Sequence, residues 1–284
     1  MTYLEQKQKY QNGKKEFYRV PSSAYIKPFK IFGNLYYVGD KKVCVHLIDT
    51  GEGLILLDAG FPQTIHMLTD SIYTLGFNPR DIKMIIHTHG HYDHYGASSE
   101  YKNLYGCKLL ISRTDGEIME RNDRVGSADW ADIVCPMMYK PEFDRYIEDG
   151  ETITLGNTSI LCLPVPGHTA GTMAFFFDVT ENGRTLRAGL FGGAGKGSLS
   201  LSVLKYRNQP LSLRDDMLDS LERMKSQHVD IMLGNHPVNN DTLGRAERLF
   251  NGDTEAFIDE NAWPEFLEKT RKSFIKFYAE DTDV

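Results

Sequence analysis

Nine histidines serve the whole chain, and four of them crowd into one run, His87-Thr88-His89-Gly90-His91-Tyr92-Asp93-His94. The run follows Met84-Ile85-Ile86, an apolar stretch that reads as a buried strand. It therefore stands at the carboxyl end of a strand, where ligands gather in layered α/β folds. Neutral imidazole is a good ligand for Zn²⁺. His89 and His91 are two apart, so in extended backbone both side chains face one way and can grip one ion. Asp93 and His94 come where the chain turns into a helix, and they point at a second position nearby. A carboxylate there can also hold a hydroxide or accept a proton.

Two later segments complete the set. Pro166-Gly167-His168-Thr169-Ala170-Gly171-Thr172 follows the strand expected over Ile160–Leu163, and its glycines let the backbone turn so that His168 projects inward. Met232-Leu233-Gly234-Asn235-His236-Pro237 likewise sets a histidine just after an apolar strand. A lone histidine at a strand end is ordinarily a hydrogen-bonded structural residue; the His89–His94 cluster is what makes ligands of His168 and His236. His46, His66 and His228 have no such partners in sequence and read as ordinary histidines. His87 reads as a strand-end or supporting residue.

Between these landmarks the pattern alternates strands with helices. Strands are expected over Phe32–Val38, Lys42–Asp49, Leu54–Ala59, Lys83–His87, Lys108–Ser112, Glu151–Leu155, Thr158–Pro164, Met173–Val179, Thr185–Phe191 and Val229–Leu233. Helices are expected over Gln63–Leu75, Tyr92–Tyr105, Gly116–Arg121, Leu213–Gln227 and Pro264–Phe277. The order repeats a similar plan twice, which implies an α/β protein with two sheets packed face to face and helices outside. Residues 1–27 are polar and read as an N-terminal arm, with 28–284 as one domain. Residues 113–148 read as a less regular insertion over one face.

Composition narrows the partners. A net charge of −7 offers no basic face for a phosphate backbone, so nucleic acid is not expected. No run of 18 apolar residues occurs, so no membrane span is expected, and the polar start of the chain reads as cytoplasmic. Cys44, Cys107, Cys135 and Cys162 are far apart and read as reduced, buried thiols. The glycine-rich Gly192-Gly193-Ala194-Gly195-Lys196-Gly197 reads as a flexible turn between two strands, with a lip carrying Lys196 as the weaker alternative. It lacks the spacing of a phosphate loop. Tyr92, Met137, Met138 and Tyr139 are candidate pocket residues, though packing is the simpler reading of each.

The H-x-H-x-D-H run, with a later P-G-H-T and a still later G-N-H-P, resembles the metallo-β-lactamase superfamily. Leu56-Leu57-Asp58-Ala59-Gly60 and the stretch Asp149–Gly156 add to the resemblance, which runs from about Ile31 to the terminal helix. It implies a four-layer αβ/βα sandwich with two zinc ions: His89, His91 and His168 on the first, Asp93, His94 and His236 on the second. Asp58 would brace the ligand loop. The Gly189–Lys196 stretch carries no carboxylate where many hydrolases of this fold place a bridging Asp. The ligand set is therefore similar to the β-lactamase subclass with three histidines on one zinc and Asp, His and His on the other, although that subclass's usual Asp-Ser pair is absent here. The implied activity is hydrolysis of a small carbonyl substrate (a β-lactam, a lactone or a related cyclic amide or ester) by a metal-activated hydroxide that Asp93 orients. Two other enzymatic readings stand beside it: thioester hydrolysis of the glyoxalase II type, and an iron-dependent redox enzyme on the same fold. A non-catalytic binding module is the third.

Overall fold

The computed structural model describes residues 17–121 and 141–282, with positions 2, 4, 5, 8, 9 and 12 of the arm. Seven strands, β1 (Phe29–Phe32), β2 (Leu35–Tyr37), β3 (His46–Asp49), β4 (Leu54–Leu57), β5 (Ile82–Ile86), β6 (Lys108–Ser112) and β7 (Arg145–Ile147), form one sheet in that order. Five more, β8 (Thr152–Leu155), β9 (Thr158–Pro164), β10 (Met173–Glu181), β11 (Arg184–Phe191) and β12 (Ile231–Leu233), form a second sheet ordered β12-β11-β10-β9-β8.

The alternation of strand side chains decides the layering. On β10, Phe175, Phe177 and Val179 enter the core shared with Ile55 and Leu57 of β4 and Ile86 of β5. Ala174 and Phe176 point the other way, into a second core with Met217, Leu221, Trp263, Phe266 and Phe274. Those last residues lie on the helices Leu213–Arg223 and Ala262–Glu280, which cover the outer face of the five-stranded sheet. On β4, Leu54 and Leu56 face outward with Leu68, Ile72 and Tyr101, from the helices Ile65–Thr74 and Ser98–Tyr105. The layers are helix, sheet, sheet, helix: the αβ/βα sandwich expected from the sequence.

Several local expectations are corrected. Phe32–Val38 is not one strand, because the chain reverses at Gly33 and Asn34 and pairs Phe32 with Leu35. Gly33, at φ 55°, supplies the left-handed conformation the reversal needs. The helix expected over Tyr92–Tyr105 is two, Tyr92–Tyr95 and Ser98–Tyr105. The strand β7 and the helix Leu201–Tyr206 are too short to show a period in the sequence, and the amphipathic helix Thr242–Phe250 is a further element beyond those expected. Cys44, Cys107 and Cys162 are buried and free. Cys135, Met137, Met138 and Tyr139 lie outside the described residues. No helix among the described residues is long and apolar enough to cross a membrane.

The topology sets up the site. β4, β5 and β6 are parallel, so their carboxyl ends share one edge of the sheet. In the second sheet β11 and β12 are parallel to each other, and β9 runs the same way because each is antiparallel to β10 or follows from it. The two edges meet: Met173 N–H donates to Thr88 O at 2.9 Å, and Cys44 N–H to Asn235 O at 3.0 Å.

Candidate metal centre

Six side chains converge at that meeting of edges. His89, His91 and His168 form one triad, and Asp93, His94 and His236 a second, with each triad's candidate ligand atoms within 4.8 Å of one another. The rings of His89 and His168 are 4.8 Å apart, and those of His91 and His168 4.5 Å. The Nε2 atoms of His94 and His236 approach to 3.4 Å, and Asp93 Oδ2 lies 3.8 Å from His236 Nε2. Residues scattered over the whole span from 89 to 236 thus meet at one place.

The donor set fits a metal. His89 Nε2 and His91 Nε2 are buried and have no hydrogen-bond partner among the described residues. A buried polar atom left this way costs free energy unless something occupies it. Burial, with the neighbouring imidazoles second, holds His89 well below the ordinary histidine range, and His91 is likewise depressed. Burial lowers His168 to about 4. All three rings are therefore neutral at physiological pH, the state in which imidazole binds a cation.

The supporting contacts fix which nitrogen is offered. Asp58, at the end of β4, accepts the Thr88 amide at 2.7 Å, the Thr88 hydroxyl at 2.8 Å and His94 Nδ1 at 2.7 Å. Because the Thr88 hydroxyl donates to Asp58, His89 Nδ1 donates in turn to Thr88 Oγ1, at 2.9 Å. One carboxylate thereby holds His89 and His94 with their Nδ1 atoms protonated and their Nε2 lone pairs turned to the centre. His236 Nδ1 donates to the Lys42 carbonyl at 2.8 Å, and its amide to Asn239 Oδ1 at 2.9 Å. His168 Nδ1 reaches the Gly195 carbonyl and Ser198 Oγ, each at 2.9 Å.

The glycine-rich segment is thus not a loose turn between strands. It leads into the short helix Lys196–Leu199 and presses against His168. A Cβ at Gly193 would stand 2.4 Å from His168 Cδ2. Lys196 Nζ lies 6.0 Å from the centroid of the Phe277 ring, on the terminal helix. Tyr92, between ligands in sequence, is 1% exposed; it packs on Phe61, and its hydroxyl bonds to that of Tyr18 in the arm. His87 donates and accepts inside the core, to Leu110 O at 2.7 Å and Ser98 Oγ at 2.6 Å. His46 is buried, His66 is exposed, and His228 pairs with Asp230 at the surface.

Sequence reasoning missed the groups that hold the ligands from a distance. The Lys42 and Gly195 carbonyls leave no signal, since a backbone acceptor has no residue type, and Ser198, acting through its hydroxyl, stands among glycines that read as a turn. Asp115 is a different case. It stands three residues after Ser112, whose hydroxyl accepts its amide, and this pattern reads only as a helix N-cap.

Residues 38–189 match the family described as the metallo-β-lactamase superfamily. Among solved structures the chain is similar to BJP-1, a subclass B3 metallo-β-lactamase of Bradyrhizobium japonicum, with 26% identity and a TM-score of 0.81, covering 93% of this chain and 97% of that one. Among curated proteins it is 33% identical over 100 residues to a hydroxyacylglutathione hydrolase of Hyphomonas neptunium, 35% of this chain and 31% of that protein. It is 24% identical over 164 residues to a probable polyketide biosynthesis zinc-dependent hydrolase of Bacillus subtilis, 57% of this chain and 60% of that one. The matched segments thus span about a third and about three-fifths of those curated relatives. With the family match, the layered fold and the paired triads all in agreement, the chain belongs to the metallo-β-lactamase superfamily.

Proposed function

We propose that the protein is a zinc-dependent hydrolase of a small carbonyl substrate, a β-lactam, lactone or related cyclic amide or ester. His89, His91 and His168 hold one zinc ion, and Asp93, His94 and His236 hold the other. The observation that carries this is the convergence of the two triads, with buried, partnerless Nε2 atoms on His89 and His91. When bound, such ions supply a water acidified towards neutrality and an electrophile for the carbonyl oxygen. The chain's own residues do the rest. Burial keeps the first triad neutral, Asp58 orients His94 directly and His89 through Thr88, and Asp93, beside His236, would orient the attacking water and take up its proton. The likeness to a subclass B3 β-lactamase along nearly the whole chain supports a cyclic amide. The segment shared with a hydroxyacylglutathione hydrolase supports a thioester as the second reading.

The test is metal content by elemental analysis, with hydrolysis of lactam, lactone and thioester probes before and after chelation. Two zinc equivalents and chelator-sensitive turnover are expected, and the preferred probe selects between the two readings. Full activity in a metal-free sample overturns the proposal.

A further inference from the structure

Asp115 is fully buried, at 0% exposure, yet it is no ligand candidate and belongs to neither triad. It lies in the first turn of the helix Arg113–Glu120, just past the carboxyl end of β6. Its Oδ2 accepts the Gly90 amide at 2.7 Å and the Thr169 hydroxyl at 2.7 Å, and its Oδ1 accepts the Gly171 amide at 2.8 Å. Gly90 stands between His89 and His91. Thr169 and Gly171 follow His168. One carboxylate therefore ties together the two loops, from different sheets, that carry the three-histidine triad.

The surroundings are built for this approach. A Cβ at Gly171 would lie 2.5 Å from the Asp115 amide and 2.3 Å from Ser112 Oγ, so only glycine lets that loop come so near. Thr169 is fixed on its other side, its hydroxyl 2.8 Å from that of Thr172. Burying a carboxylate is costly, and a helix N-cap does not require one buried this deeply. Three short hydrogen bonds from two ligand loops account for it.

We propose that Asp115 is the positioning residue of the three-histidine site, setting the separation of the His89–His91 loop from the His168 loop. This rests on the zinc reading above and deepens it. The second triad does not depend on Asp115 in the same way: His94 is held by Asp58, and His236 by Lys42 and Asn239. The inference is therefore selective, and its selectivity is what can be measured.

The experiment uses the full chain and zinc itself, with affinity read by chelator competition. Asp115→Asn is placed in a His236→Ala background, which isolates the three-histidine site, and in a His168→Ala background, which isolates the other. The expected result is a loss of about 10–100-fold in zinc affinity in the first background and none in the second. Thr169→Val removes one donor and keeps the carboxylate; it should weaken the same site, and Thr169→Ser should restore it. This pair decides the matter should Asp115→Asn not fold. Equal losses in both backgrounds, no loss in either, or a Thr169→Ser as weak as Thr169→Val overturns the inference. A wild-type chain that takes up no zinc overturns the hydrolase reading and this inference together. Normal zinc uptake with an indifferent Asp115→Asn overturns this inference alone.

Discussion

Replacing Asp58 should damage both triads at once, and the structure says by how much. The residue sits at φ 63°, a left-handed conformation that glycine and asparagine tolerate and alanine resists. Asp58→Gly therefore removes the carboxylate without adding backbone strain. It strands the Thr88 amide and His94 Nδ1–H, both buried, while the Thr88 hydroxyl can rotate to another acceptor. A buried donor left unsatisfied costs about 1–3 kcal/mol, so the metal-free protein should lose about 2–6 kcal/mol. For a chain of this size that lowers Tm by roughly 2–4 °C for each kcal/mol. Asp58→Asn keeps one acceptor oxygen and the backbone conformation, and should lose about half as much. Zinc affinity should fall about 10–100-fold at both sites, because Asp58 orients His94 directly and His89 through Thr88. Differential scanning calorimetry of the metal-free variants and chelator competition on the loaded ones make the measurements. An Asp58→Gly protein that melts with the wild type and binds zinc as tightly would refute the argument that this carboxylate fixes the imidazoles.

Three further outcomes follow from other parts of the structure. Burial holds His46 down to about 4, whereas an unfolded histidine titrates near its ordinary 6.5, so the unfolded chain takes up the proton first as pH falls. The His46 contribution to stability should decline from pH 6.5 and level off below 4, so that about 3 kcal/mol of the chain's acid-side loss is absent in His46→Gln, as urea titrations across the range would reveal. Gly193→Ala pushes a methyl group against His168 and should weaken zinc binding about 10-fold or more, read by chelator competition; unchanged affinity would mean that the loop shifts freely. Phe17, 4% exposed with its ring 4.9 Å from that of Phe61, anchors the arm, and Phe17→Ala should destabilise the protein by about 3 kcal/mol in thermal melts if residues before Pro21 fold with the rest.

The candidate ligands were legible because coordination demands particular side chains at particular spacings. His89 and His91 share a face, and His168 and His236 each follow an apolar run. The layers were legible from the repeated order of strands and helices, whereas which side chain of the all-apolar β4 enters the inter-sheet core was not. What could not be read follows from physics that leaves no residue signature. The reversal at Gly33 and Asn34 is the exception, since a Gly-Asn pair between apolar runs is a hairpin signal that the single-strand reading passed over. Lys42 and Gly195 act through carbonyls, which every residue has. The 192–197 segment reads as a flexible turn by composition, yet Gly193 and Gly195 are required by the close approach of His168 and Gly192 by that of Met173. Asp115 was invisible because its partners, Gly90, Thr169 and Gly171, are distant in sequence and two of them donate through the backbone.

Strand order explains why two buried carboxylates serve one loop. β5 lies between β4 and β6, and the segment after it is gripped from the β4 side by Asp58 and from the β6 side by Asp115. Asp93 adds a third acid, and the three are only 1%, 6% and 0% exposed in the order Asp58, Asp93, Asp115. Buried carboxylates are costly in an apolar interior unless hydrogen bonds or countercharge offset them. Amides and hydroxyls supply the first. Divalent cations held by the two triads would supply the second. Zinc should then stabilise the folded chain by RT ln(1 + [Zn]/Kd) for each site it fills, a gain that grows with free zinc and is lost on chelation. Asp58 satisfies buried donors and orients imidazoles through the same contacts, which is the physical basis for expecting stability and metal affinity to fall together in Asp58→Gly.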